Sequence, residues 1–472
     1  MIGKVTLLGA IGLAFAACSF SGASDEISES KRKPNVVLIM ADDIGHEGLS
    51  CYGSADYRTP NLDELAANGI RFTHCYSQPL CTPSRVQIMT GRYNHRNYEG
   101  FGFLNPKEKT FGNLLTETGY ATCIAGKWQL SGDASTIKSF GFDEHCVWNM
   151  IDYKSKSLKP CVVPFPEGHL KRYDAPVMFV NGKWQAGSED EYGPQVAADF
   201  VCSFIERNKK RPFLCYYPMI LVHSPFVPTP DSPNGMKGDR KSNFRDMVAY
   251  MDKLVGQIVD QLERSGVLDN TIILFTGDNG THKTIASKMT DGRSIKGGKA
   301  DMTDAGTHVP FVAYWKGVTP EGVVCDDLID FSDFLPTLAE AAGVPLPTDR
   351  TIDGVSFCSQ LKGKEGSPRE WVFCHYWDYG RNKKGAREFV RDRRWKLYDN
   401  GTLIDAQNVK KRKSMKEPSA AAEAAKRRLE SAFETVHGSE KGDRHRRQTP
   451  QPLQNQALDG ASPHFRTPVF SV

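Results

Sequence analysis

This sequence predicts an α/β fold with a mainly parallel central sheet, helices on both faces and a small C-terminal α+β subdomain. Three observations lead there. Short, almost unbroken apolar runs alternate with helix-length amphipathic segments; that texture stops near residue 368; and charged residues cluster where the apolar runs end. An apolar run without polar alternation marks a strand buried on both faces, which calls for a helical layer on each side.

The first 17 residues read as a signal sequence rather than as fold. After Lys4 the run "VTLLGAIGLAFAAC" has an apolar core too short to span a bilayer and ends in small residues. "LAFAAC" also looks like a lipoprotein signal with Cys18 as the lipidated mature N-terminus, and both forms of processing stay open. Either way the chain is expected to be exported: periplasmic, secreted or lipid-anchored at the bacterial envelope, touching membrane only through that anchor. Export permits disulfides among the 12 cysteines, although spacing does not reveal their pairing. No Cys-x-x-Cys pair occurs, so a zinc ribbon or a thioredoxin-like site has no support.

Residues 34–367 are expected to form one large domain. Strands are predicted over "NVVLIM" (35–40), "ATCIAG" (121–126), "FLCYYPMI" (213–220), "TIILF" (271–275) and "VPFVAYW" (309–315). "TPNLDELAANG" opens on Thr59 and Pro60 and closes on Gly69, a helix with a signal at each end. In "RDMVAYMDKLVGQIVDQLERSG", Met247, Met251, Leu254, Ile258 and Leu262 recur at helical spacing and Gly266 stops the helix. This stripe reads as a core-packing face.

Residues 368–436 form the expected C-terminal subdomain. "REFVRDRRWKLYDNGTLID" reads as two strands joined at Asp399-Asn400-Gly401. A basic run from Lys410 to Lys416 reads as a solvated face, followed by the helix-prone "PSAAAEAAKRRLESAFETV". Residues 437–472 are polar, rich in Pro and Gln, and expected to be loosely ordered. With 39% hydrophobic residues the chain can bury a large core, and a net charge of +4 over 472 residues gives no case for a nucleic-acid partner. A locally basic pocket remains compatible with that balance.

The strand ends carry the chemistry. "NVVLIMADD" delivers Asp42 and Asp43, "TIILFTGDN" delivers Asp278 and Asn279, and "ATCIAGK" delivers Lys127. Ligands of open parallel sheets bind outside the carboxyl ends of the strands. An Asp-Asp pair alone reads as readily as a loop or helix cap, but the Asp-Asn after a second strand favours a site. Three carboxylates and an amide converging there would repel one another without a cation, and an all-oxygen set suits calcium or magnesium rather than zinc.

In "SQPLCTPSR" (77–85), residue type alone leaves Cys81 open as packing, disulfide half, metal ligand or nucleophile. With "VQIMTGR" after it, this stretch resembles the signature of the sulfatase family. The similarity continues in order through "MADDIGHEGLSCYG", "TPNLDELAANGIRFTHCY", "GKWQL", "FLCYYPMILVHSPF", "LFTGDNG" and "GGKADMTDAGTHVPFVAYWKG", covering roughly residues 34 to 400. The resemblance implies an alkaline-phosphatase-like fold and hydrolysis of sulfate esters. It implies that a formylglycine-generating enzyme converts Cys81 to formylglycine (3-oxoalanine), whose hydrate is the nucleophile. Pro83 suits the first turn of a helix there, whose N-terminal amides favour an anion. Arg85 would hold the developing alkoxide. Asp42, Asp43, Asp278 and Asn279 match the metal ligands, completed by the modified Cys81, with calcium the usual ion. Lys127, His223 and Lys299 match groups that bind sulfate or protonate the leaving alcohol, with Lys296 a weaker rival to Lys299.

Two positions depart from the family. Gln129 stands where a histidine is usual and His308 where an arginine is usual. Glutamine hydrogen-bonds to sulfate but takes no proton, which leaves His223 as the expected acid and His282 as a second candidate base. Partners implied are a sulfated carbohydrate or aryl sulfate substrate and the maturation enzyme. Tyr98, Phe101 and Phe103 either line a sugar pocket or pack in the core. Two other functions stay open: a phosphonate or phosphate ester hydrolase on the same fold, and a catalytically silent protein that binds sulfated glycans.

Overall fold

The computed structural model describes residues 32–130, 132–148, 166–233, 238–377, 385–407 and 419–438. The signal sequence, Cys18, the basic run 410–416 and residues 439–472 of the predicted tail lie outside them. Strands in chain order are β1 (Asn35–Ala41), β2 (Ile70–Tyr76), β3 (Ala121–Lys127), β4 (Glu144–Trp148), β5 (Val177–Val180), β6 (Lys183–Ala186), β7 (Phe213–Pro218) and β8 (Thr271–Gly277). They continue with β9 (Ala286–Lys288), β10 (Ser294–Lys296), β11 (His308–Trp315) and β12 (Val323–Asp330), then β13 (Val372–Tyr376), β14 (Arg387–Arg391), β15 (Trp395–Tyr398) and β16 (Leu403–Asp405).

A ten-stranded sheet runs in the order β12-β2-β11-β8-β1-β7-β3-β4-β5-β6. Its central block, β8 through β4, is parallel. Alternate residues of β1 serve different cores: Val37, Ile39 and Ala41 pack with the helices Gly193–Asn208 and Arg240–Arg264, while Val36, Leu38 and Met40 pack with Cys81–Thr90 and Phe334–Ala342. That two-sided burial is why these runs contain no polar alternation. The predicted stripe of the long helix is fully buried, and Gly266 past its end takes a left-handed φ of 67°.

The sheet is mainly parallel as expected, with the predicted run 309–315 forming β11, which pairs antiparallel with both β2 and β8. Two expectations are corrected. The segment 387–405 holds three strands, because the chain also reverses at Asp392, whose carboxylate accepts from the Arg394 and Trp395 amides at 2.8 and 2.6 Å. The helix expected to stop at Gly69 ends at Ala67; Gly69 is required instead where its missing Cβ would lie 2.3 Å from the Ala313 carbonyl.

The second sheet is antiparallel, β13-β14-β15-β16, with the helix Ala420–Gly438 laid over it through Ala422, Ala425, Leu429 and Val436. His437 and Gly438 thus belong to a helix rather than to the tail. Among the described residues ten cysteines, Cys81 among them, are free thiols. Among the described residues no helix is long and apolar enough to cross a membrane.

Candidate active site

The parallel block ends in a buried cluster of charge. Asp42 follows β1 and Asp278 follows β8; the Asp278 amide donates to the Ala41 carbonyl at 2.8 Å, and the Asp43 amide to Asp278 Oδ1 at 3.0 Å. Asp43 has a left-handed φ of 62°, a conformation uncommon for non-glycine residues but accessible to Asp. Beyond β7 the chain keeps pairing with β1, through Met219 N to Met40 O (2.8 Å) and Val222 N to Asp42 O (2.7 Å), which delivers His223 to the cluster.

Cys81 is the first residue of the helix Cys81–Thr90, every residue of which is buried. One turn on, Arg85 donates to Asp278 Oδ2 at 3.0 Å and to the Lys127 carbonyl at 2.9 Å. Lys127 Nζ lies 2.6 Å from Asp42 Oδ2, and Lys299 Nζ lies 2.6 Å from Asp43 Oδ2 and 3.0 Å from His223 Nε2. Burial pushes the Cys81 thiol up, against the nearby Lys127 and Lys299 charges. As a cysteine it is a protonated, poor nucleophile. Burial opposes ionisation of Asp42 and Asp43 too, but Lys127 for the first and Lys299 for the second bring both below the usual carboxylate range. Asp278 is pushed up to about 7 by burial and then by the Asp42 carboxylate.

Burial lowers His223 to about 4, against the pull of Asp43 and Asp42, which favours a neutral ring. Its Nδ1 lies 2.6 Å from the Ser224 carbonyl, to which it donates, leaving Nε2 to accept from Lys299.

The cluster fits a hard cation. Asp42, Asp43 and His223 each offer a ligand atom within 4.8 Å of one another, and the buried oxygens Asp42 Oδ1 and Asn279 Oδ1 have no hydrogen-bond donor. Asn279 turns its Nδ2 to Asp43 Oδ1 at 2.9 Å. A buried carboxylate oxygen and an amide oxygen without donors are costly unless a cation satisfies them.

Lys299 sits on a loop, 298–307, seated against the strand ends. Its amide donates to the Thr281 carbonyl at 3.1 Å, and Gly280 lies so close to this loop that a Cβ there would be 1.8 Å from the Ala305 carbonyl. The other side of the loop is gripped by the second sheet. Asp304 pairs with Arg391 at 2.9 Å and Lys396 at 3.4 Å, and Tyr398 donates to the Met302 carbonyl at 3.1 Å.

Of the remaining predicted residues, Gln129 is buried with φ 51° and an unpartnered Oε1, two residues past the end of the Lys127 side chain's strand. Lys296 is exposed on β10, which leaves Lys299 as the site lysine. His308 stacks on His46 at 4.1 Å and bonds the Thr73 carbonyl at 2.8 Å. His282 contacts Thr284 Oγ1 at 2.9 Å, edge-on to Phe226. Tyr98 and Phe103 are core, whereas Phe101 is exposed. Sequence reading missed Arg172 beside His223 and the Asp304 ion cluster; neither sits in a pattern that announces it.

These features are those of a hydrolase built on strand-end charge, and the comparisons define the class. The Sulfatase family model matches residues 34–344, and a model described as N-sulphoglucosamine sulphohydrolase, C-terminal, matches 298–423. Human arylsulfatase A (Homo sapiens) is 33% identical over 368 residues, covering 72% of this chain and 70% of that protein. A structure described as BT4656 in complex with its substrate D-glucosamine-2-N,6-O-disulfate superposes with a TM-score of 0.67 at 21% identity, over 88% of this chain and 99% of the other. The phosphonate monoester hydrolase of Agrobacterium radiobacter shares the fold, with a TM-score of 0.63 at 19% identity, over 86% and 96% of the two chains. The chain belongs to the sulfatase family of sulfuric ester hydrolases.

Proposed function

We propose that this enzyme removes O-sulfate groups from a sulfated glycan outside the cytoplasm, with Cys81 matured to formylglycine and calcium held by Asp42, Asp43, Asp278 and Asn279. The observation that carries the reading is Cys81, buried at a helix N-terminus and within electrostatic reach of Lys127, Lys299, Asp278 and Asp42. The relatives' substrates, a sulfated glucosamine and those implied by the name arylsulfatase, support a sulfated substrate class.

A formylglycine at residue 81 would, as its hydrate, supply two geminal hydroxyls, one as nucleophile toward sulfur and one whose deprotonation lets sulfate leave as the carbonyl re-forms. Calcium held by Asp42, Asp43, Asp278 and Asn279 would offset the three carboxylates and supply Lewis-acid polarisation of sulfate. The chain's own groups do the rest. Lys127 and Lys299 present ammonium groups to sulfate oxygens. Arg85 is fixed by Asp278 and the Lys127 carbonyl, so its guanidinium is already in place where an oxyanion develops. The Lys299–His223 pair, joined at 3.0 Å, moves a proton to the leaving alcohol, replacing the simple His223 acid expected from sequence. Gln129 donates its amide to sulfate without taking part in proton transfer.

The test is turnover of sulfated oligosaccharides, aryl sulfates, and phosphate and phosphonate esters by protein co-expressed with a formylglycine-generating enzyme, the aldehyde at residue 81 being verified by peptide mass spectrometry. Sulfate esters should be preferred. Full activity with an unmodified thiol would overturn the nucleophile, preference for phosphonates the substrate class, and binding without turnover the catalytic reading itself.

A further inference from the structure

Each site cation already described has a carboxylate within 3.0 Å: Arg85 on Asp278, Lys127 on Asp42 and Lys299 on Asp43. Arg172 does not. Its guanidinium lies over the Trp148 ring at 4.7 Å and the Tyr173 ring at 5.2 Å. One nitrogen, Nη2, donates to the Ser224 carbonyl and comes within 3.3 Å of His223 Nδ1. Nε is buried with no acceptor, and among the described residues no carboxylate pairs with this arginine.

Two rings hold the group flat beside the histidine, so its charge is fixed in place without being neutralised. A buried or half-buried guanidinium without a counterion is costly to the free protein, and an anionic ligand removes that cost. The scissile sulfate monoester carries one negative charge and is met by Lys127 and Lys299. Arg172 stands instead next to His223, the residue to which the reading above gives the proton for the departing alcohol. Resting on the sulfatase reading above, the geometry points to a substrate whose leaving alcohol carries a second anionic group, a carboxylate or another sulfate, bound by Arg172. Arg172 is thus a specificity-determining residue, and the substrate class is an acidic or multiply sulfated glycan rather than a neutral sugar with one sulfate.

The experiment compares three substrates of one sugar size: a lone sulfate, a sulfate beside a uronic carboxylate, and two neighbouring sulfates, each assayed with aldehyde-verified protein. A charge-assisted hydrogen bond predicts kcat/KM about 10–100-fold higher for one or both doubly anionic substrates. In Arg172→Gln that ratio should collapse towards one, and in Arg172→Lys part of it should survive; a thermal melt checks that each variant is folded. The carboxylate and disulfate arms tell which anion is bound. The proposal is overturned if the unsubstituted enzyme shows no preference, or if Arg172→Gln slows all three substrates by the same factor, which would mean the arginine acts only through His223. Turnover of the lone sulfate by the unsubstituted enzyme upholds the sulfatase reading in either case, while no turnover of any sulfate ester would sink that reading and this proposal together.

Discussion

The two halves of the active site are held by different physics. Asp42, Lys127 and Asp278 stand at or within one residue of strand ends in the parallel block, where continuous ladders between β8, β1, β7 and β3 fix each backbone. Lys299 stands on a loop whose position depends on a few contacts, among them an ion cluster with Arg391 and Lys396 from a separate sheet about 90 residues later in the chain. The first half shares the cooperativity of the core. The second is set by charges that must each find a partner, so a single substitution far from the sulfate pocket can reach the chemistry. The C-terminal sheet is therefore expected to affect catalysis through the loop that carries Lys299.

The largest effect should come from removing what both halves serve. Cys81→Ala is expected to lower turnover by about 10⁵–10⁶-fold, as loss of a nucleophile does elsewhere, with the melting temperature little changed. Next, Asp278→Asn attacks the strand half: bound calcium, measured by metal analysis, and turnover should fall together, by more than the about 10–100-fold typical of an outer-shell partner. Unchanged activity after thorough chelation, with an empty site verified, would refute the metal assignment.

Arg391→Met attacks the loop half. Breaking a buried pair costs about 3–5 kcal/mol, and this pair should fall at the low end because Asp304 is partly exposed. If the loop half is as dependent as its contacts indicate, kcat/KM should also fall about 10–100-fold through misplacement of Lys299, and Arg391→Lys should restore part of it. Lost stability with unchanged kinetics would separate the sheet from the site. The smallest effect concerns pH. Burial lowers Lys396 to about 8, against the pull of Asp304, while an unfolded lysine titrates near ~10.4. Between those values the unfolded chain binds the extra proton, so stability from this residue rises with pH across the window. Lys396→Met should flatten that slope in denaturant melts taken from pH 7.5 upward.

The strand half was legible and the loop half was not, for a physical reason. An apolar run that ends in Asp-Asp or Asp-Asn advertises a buried strand and its polar outlet together, so Asp42, Asp43, Asp278 and Asn279 could be placed from spacing. Lys299 and His223 needed the family resemblance, since no periodicity leads to a loop. Arg172 and the Asp304–Arg391–Lys396 cluster could not be read at all: their partners are distant in sequence, and a single charged residue looks the same whether solvated or buried. Strand direction was equally silent. The run at 309–315 is as apolar as its neighbours, and only the pairing shows that β11 runs the other way. The neutral state of His223 was hidden too, because burial at a strand end lowers an imidazole that its residue type alone would place near neutrality.

That reversed strand has an evolutionary consequence. Because β11 runs against β8, the chain leaves β8 and enters β11 at the same end of the two strands, so everything from residue 278 to 307 is one excursion that starts and finishes at the strand-end cluster. Insertions or deletions at an exposed turn of such an excursion leave the strands of the ten-stranded sheet in register. At the exposed tip of the small β9–β10 hairpin, residues 290–294, a change of length is therefore expected to leave the carboxylates at the origin and Lys299 at the return where they are, whereas Ile285, Ser287 and Met289 are buried and hold the hairpin to the domain.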